Sequence, residues 1–138
     1  MLGRTSENKK ALIQYRMERA RETLDDARAL FEQNRTPASV VNRSYYAMFY
    51  ASLTLLATIG QDTSKHGGVL ALFDKYFMKP KILPGEMGKF LHQAFDMRQT
   101  GDYEEEAELT KEDAQQTLDS AVKFVETIEA KLSQDNAL

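Results

Sequence analysis

Arg98, Asp102 and Tyr103 place a cation, a carboxylate and a phenol close together in the stretch Phe95-Asp96-Met97-Arg98-Gln99-Thr100-Gly101-Asp102-Tyr103-Glu104. Such a set can bind an anion, because a guanidinium offers a planar fork of donors to phosphate or carboxylate oxygens. The phenol is a poor general base at neutral pH, since its reference pKa is about 10. Leu91, Ala94 and Phe95 precede Arg98 at helical spacing and share its face. A cation on a packed face is costly unless it has a partner. Two readings therefore stay open. Arg98 clamps the last turn of a helix, meeting its carbonyls and Asp102, or it is an anion ligand.

The chain has two histidines, His66 and His92, which restricts acid–base chemistry near neutral pH. Lys65 and His66 stand in a polar loop before a predicted helix, where backbone N–H groups favour anions, and both are candidate phosphate ligands. The same residues also suit an ordinary surface loop. His92 points about 120° away from Arg98 on the same helix and reads as a surface or interface residue. No cysteine and no H-E-x-x-H motif is present, so neither a metal site nor a cofactor is expected. Ser44 has no His or Lys near it in sequence, which leaves a nucleophilic serine unsupported. Gly67-Gly68 is the sole glycine pair, and no phosphate-binding glycine loop occurs. Glu104-Glu105-Glu106 reads as a solvated loop.

Bulk properties narrow the classes. The 138 residues suit one domain, 1–138, with a core over about 6–132. A net charge of −3 argues against strong non-specific nucleic-acid binding but allows a local basic site. The longest apolar-rich run, Tyr45 to Ile59, is too short to span a bilayer. A cytoplasmic, membrane-free protein is expected.

Five helices are predicted, and no strand. The first runs from about Ser6 to Phe31 on the stripe Ile13, Met17, Ala20, Leu24, Ala27 and Phe31. Thr36-Pro37 opens the second, an N-cap followed by proline at the first helical position, and Gly60 follows its end near Ile59. One of its faces carries Tyr46, Phe49, Tyr50, Leu53, Leu56 and Ala57, and a second carries Tyr45, Met48, Leu55 and Ile59, so it is central or shared with a second subunit. Ser64 is the N-cap of a third helix through about Phe77. A fourth spans about Gly85 to Thr100, ended by Gly101, and Asp102 to Leu109 form an acidic connection. Thr110-Lys111-Glu112-Asp113 is a capping-box pattern for the fifth, with the stripe Ala114, Leu118, Ala121, Val125, Ile128 and Leu132, and fraying is expected from Ser133. Short links between long amphipathic helices imply an all-α, antiparallel up-and-down bundle of four or five helices.

Three segments in this order resemble the HEPN domain family, in its small single-domain prokaryotic branch. They are Ser44-Tyr45-Tyr46-Ala47-Met48-Phe49-Tyr50-Ala51, Ser64-Lys65-His66-Gly67-Gly68-Val69, and Arg98 with Asp102-Tyr103. The resemblance covers about Arg16 to Leu132. It implies a helical bundle that dimerises, with a minimal nucleotidyltransferase as partner in a toxin–antitoxin type pair, and a nucleotide or RNA phosphate bound through Arg98, Asp102 and Tyr103, with Lys65 and His66 as further ligands. Active members of the family are metal-independent ribonucleases that use an arginine and a histidine separated by about four to six intervening residues. After Arg98 those positions hold Tyr103, Glu104 and Glu105. A ribonuclease toxin would thus need a variant site, with Arg98, Tyr103 and His66 as its catalytic candidates. The resemblance also makes Tyr103 a candidate acceptor for AMP from the partner enzyme. A third alternative is a helical dimerisation module in which Arg98 and Asp102 are structural.

Overall fold

The structure is a computed structural model that describes the backbone of residues 2–63, 65–103 and 109–138, and the side chains of residues 7–63, 65–101 and 109–138. Among the described residues there are five α-helices and no strand: α1 (Leu2–Glu32), α2 (Pro37–Thr58), α3 (His66–Phe73), α4 (Glu86–Tyr103) and α5 (Lys111–Gln134). A π-helical turn, Asp74–Met78, continues α3.

Cross-helix contacts fix the directions. Arg16 reaches the Leu53 carbonyl and Asp62, while Arg19 reaches Tyr50, so α1 and α2 run antiparallel. Arg21 pairs with Glu129 and Lys111 with Asn34, which sets α5 antiparallel to α1. Lys123 meets Glu86 near the start of α4, and Gly101 approaches Leu109 and Ala38 near its end. The four long helices therefore alternate down, up, down, up. This is the predicted all-α antiparallel bundle.

The apolar stripes account for the packing. Ile13, Met17, Ala20, Leu24 and Ala27 of α1 are buried, as is the whole α5 stripe from Ala114 to Leu132. Helix α2 lies at the centre, packed against α1, α3, α4 and α5. Both its predicted faces supply core, with Tyr45, Met48, Phe49, Leu55 and Leu56 buried. Ile59 is the exception: it is exposed, because it follows the last helical residue.

Local chemistry sets the helix ends. Asn34 (φ 55°) and Gly60 (φ 71°) take the left-handed conformation after α1 and α2, and each end closes with a six-to-one bond, Arg35 N–H to Leu30 and Gln61 N–H to Leu56. At α5 the capping box forms in both directions: Asp113 N–H donates to Thr110 Oγ1 at 3.0 Å, and Thr110 N–H to Asp113 Oδ2 at 2.8 Å.

Four boundaries differ from the sequence expectation. Helix α1 begins at Leu2, one turn earlier than predicted. Lys65 occupies the N-cap position of α3, and Ser64, the predicted cap, lies outside the described residues. Helix α4 runs through Gly101 to Tyr103. Gly101 lies inside the helix and does not end it; a Cβ there would sit 2.9 Å from Leu109 Cδ1, which would have to shift, and at ordinary contact distance, 3.5 Å, from the Ala38 methyl. The C-terminus is not frayed from Ser133: Asn136 (φ 57°) turns the chain, Ala137 N–H bonds the Leu132 carbonyl, and Ala137 and Leu138 pack on the core.

Among the described residues one buried hydroxyl is left over. Ser44 is fully buried on α2, and its hydroxyl has no hydrogen-bond partner among the described residues. Burying a hydroxyl without a partner costs about 1–3 kcal/mol. Ser44→Ala should therefore leave the fold intact and raise unfolding free energy by about 1 kcal/mol in a urea titration. A loss of stability would show that this hydroxyl is bonded in solution.

Candidate functional site

The middle of α2 presents a run of aromatic rings to the start of α3 and the last turns of α4. Tyr45 and Phe49 are buried, while Tyr46 and Tyr50 are half-buried. His66, the first residue of α3, lies flat on Phe49, with ring centres 4.5 Å apart and planes at 23°. It also stacks on Tyr45 at 5.6 Å and meets Tyr46 edge-on at 5.5 Å. Its Nδ1 is 2.7 Å from the Tyr45 hydroxyl. From α4, Phe95 packs 5.7 Å from Tyr45, and one turn later Arg98 places its Cζ 5.6 Å from the Tyr45 ring centre and 5.3 Å from that of Tyr46. Tyr45 and Tyr46 thus form a shared platform that both Arg98 and His66 contact within one chain.

The platform resolves how a cation sits on a packed face. Aromatic rings attract a guanidinium through their quadrupole, worth about 0.5–1 kcal/mol when exposed and about 2 when desolvated. Arg98 is half-buried, and its neighbours Leu91 and Ala94 are buried.

The loop between α2 and α3 fixes where His66 falls. Arg16 NH2 bonds Asp62 Oδ1 at 3.3 Å while its NH1 bonds the Leu53 carbonyl at 3.3 Å, tying the loop to α1 and α2. Thr63 Oγ1 accepts from Lys65 N–H at 3.3 Å. Gly68 lets Thr63 approach the first turn of α3, because a Cβ there would lie 2.9 Å from Thr63 Oγ1.

The other predicted site residues fare differently. Lys65 is exposed, and its side chain makes no hydrogen bond or ion pair among the described residues. The backbone of Asp102 and Tyr103 is helical, but their side chains lie outside the described residues. His92 sits on the surface, its Nε2 2.7 Å from Asp74 Oδ2 of the π-helical turn. Among the described residues no three His, Cys, Asp or Glu side chains group as metal ligands.

Further residues join the platform that the sequence did not single out. Arg43 places its Cζ 5.0 Å from the Tyr46 ring centre and donates two bonds to Asn42 Oδ1. Arg19 lies 5.0 Å over Tyr50 and donates to its hydroxyl at 3.2 Å. The Arg43–Tyr46 spacing of one helical turn was a usable signal. The Arg19–Tyr50 and Tyr45–His66 contacts, 31 and 21 residues apart in sequence, carried none.

Burial, and then the Arg98 charge, push the His66 imidazole below its ordinary pKa. Burial pushes the Tyr45 phenol well up, against the opposing pull of Arg98. Both groups are therefore neutral at pH 7. Two clefts, of about 280 Å³ between α4 and α5 and about 340 Å³ near Lys9 and Lys131, include neither Arg98 nor His66.

The sequence profile of the HEPN domain matches residues 13–131. The chain belongs to the HEPN family. Its relatives include a UPF0332 protein of Thermotoga maritima, 43% identical over 92% of this chain and 95% of the relative. Two proteins of Methanocaldococcus jannaschii named as candidate toxins are 37% and 32% identical, over 71% and 88% of this chain and 67% and 90% of their own lengths. In this HEPN chain no helix among the described residues is long and apolar enough to cross a membrane.

The depressed His66 pKa has a stability consequence with a definite sign. Below about 6.5 the unfolded chain takes up a proton that folded His66 resists. Stability should be full above that pH, fall as pH drops from it towards the folded pKa, and level off below. Urea melts from pH 8 to pH 5 should show this slope, and His66→Gln should flatten it. An equal slope in both proteins would mean that His66 is not the titrating group.

Proposed function

We propose that this HEPN chain is one member of a toxin–antitoxin type pair, that its partner is a minimal nucleotidyltransferase, and that it binds a nucleotide or RNA phosphate at Arg98 and His66. The observation that carries this reading is the Tyr45–Tyr46 platform, whose two rings are each contacted by a guanidinium and by an imidazole. Both can donate to phosphate oxygens, and the guanidinium does so with its charge. Asp102 and Tyr103 complete the proposed site from the same sequence motif, with Lys65 at its margin. The toxin names of the two Methanocaldococcus relatives support the toxin–antitoxin setting. The partner enzyme and a homodimeric assembly are what membership of the family suggests. Local cations on an otherwise acidic chain favour one ordered phosphate over broad coating of nucleic acid.

The binding reading predicts that the protein binds a 5′-nucleotide or a short oligoribonucleotide without cleaving it. Arg98→Ala should weaken that binding at least about tenfold, about 1.4 kcal/mol, while the melting temperature falls by no more than a few degrees, the loss of the two ring contacts. Unchanged binding with a large drop in melting temperature would make Arg98 a structural residue.

A second reading is the metal-independent ribonuclease. It is favoured by the contact of His66 with the same two rings as Arg98, which supplies an imidazole that the positions after Arg98 lack. RNA cleavage that survives EDTA and disappears in both Arg98→Ala and His66→Ala would establish it.

If the partner enzyme modifies Tyr103, the phenol oxygen attacks the α-phosphorus of ATP. Pyrophosphate leaves, and the phenol proton passes to solvent. Intact mass after mixing with such an enzyme and ATP should rise by one AMP unit in the wild type and stay constant in Tyr103→Phe. A rise in both would place the acceptor elsewhere.

A further inference from the structure

The Tyr45 hydroxyl is enclosed: the residue has no exposed surface, and the one hydrogen-bond partner of its oxygen among the described residues is His66 Nδ1, at 2.7 Å. That contact can be made in two ways. Either the phenol donates to Nδ1, or Nδ1–H donates to the phenol oxygen. The second leaves a buried O–H proton with no acceptor, and an unmade buried donor is costly, whereas an unused lone pair on a hydroxyl is common. The first satisfies both groups with one bond. It also decides the far edge of the imidazole. A neutral ring whose Nδ1 accepts must carry its proton on Nε2. His66 is only part-buried, and its Nε2 is neither bonded nor enclosed among the described residues.

We infer that Tyr45 is a positioning residue that holds His66 in the Nε2–H tautomer, so that His66 presents a neutral donor, beside Arg98, to a phosphate oxygen. The function of that donor rests on the reading of Arg98 and His66 as a phosphate site; the tautomer does not. The consequence for chemistry is specific. An outward Nε2–H has no lone pair to receive a 2′-hydroxyl proton, so the platform as built binds a phosphate and does not supply the base for cutting beside it. The neutral state of both partners accords with this, since burial opposes a proton on His66 and opposes its loss from Tyr45. The adjacent Arg98 charge also opposes a proton on His66, while on Tyr45 it works against burial, which is the larger cause.

The test is a long-range proton–nitrogen NMR spectrum of the full chain at pH 7.5, which distinguishes the two ring nitrogens. His66 should show an unprotonated Nδ1 and a protonated Nε2. The reverse pattern, or equal populations of the two tautomers, would overturn the inference without any variant being made. Tyr45→Phe keeps the ring and removes the donor. His66 should then titrate at higher pH, because the bond that stabilised its neutral form is gone, and an unchanged titration overturns the role given to Tyr45. Inorganic phosphate, AMP and a short single-stranded oligoribonucleotide are then added in turn to the wild type. A shift of the Nε2–H resonance with all three points to the phosphate group itself, and a shift with the oligonucleotide alone points to RNA. If the tautomer is as inferred and none of the three moves that resonance, the phosphate-site reading fails and the Tyr45–His66 pairing stands.

Discussion

The guanidinium of Arg98 lies against Tyr45 and Tyr46, and α2 and α4 must stay in register for that contact to exist. Much of the bundle serves that register. Near Gly101 the end of α4 lies against Ala38 at the start of α2, and Phe95 packs on Tyr45 one turn before Arg98. A half-buried cation would normally weaken such an interface. Here the ring faces supply part of the attraction that water would otherwise provide. The same rings receive His66 from the opposite direction in sequence, through a loop tied to α1 by Arg16.

This arrangement explains why α2 is apolar on several sides and still carries four rings in a short span. Its inner faces hold the core with Met48, Leu55 and Leu56, and another gives up partial burial of Tyr46 and Tyr50 to cations from α1, α2 and α4. A chain of net charge −3 thereby gathers arginines along one helix without becoming basic overall. On the proposed reading this distribution serves selective recognition of a small anionic group, because charge held on rigid rings loses less entropy on binding than charge on free side chains.

The bundle was legible in the sequence where one helix face or one cap decided the outcome. The α1 and α5 stripes, the Thr110 capping box, and Pro37 at the start of α2 all acted locally. Gly101 was misread for a physical reason: a glycine that ends a helix and a glycine carried within its last turn look alike in sequence. The last residues looked frayed because the bond from Ala137 to Leu132 depends on Asn136 taking a left-handed turn. Arg98 and His66 stood out by residue type, yet their meeting did not, since it needs α2 as an intermediary. Tyr45 was visible only as a packing residue, because its hydroxyl finds its partner 21 residues away.

The central claim is that Arg98 and His66 are electrostatic neighbours on one aromatic platform. An NMR titration of the His66 ring in the wild type and in Arg98→Met tests it directly, since methionine preserves the apolar stem and removes the charge. The wild-type imidazole should titrate below its ordinary range. In Arg98→Met it should titrate higher but still below that range, because burial is the larger cause and remains. Identical titrations in a folded variant would contradict the account, because His66 would then not feel Arg98 at all.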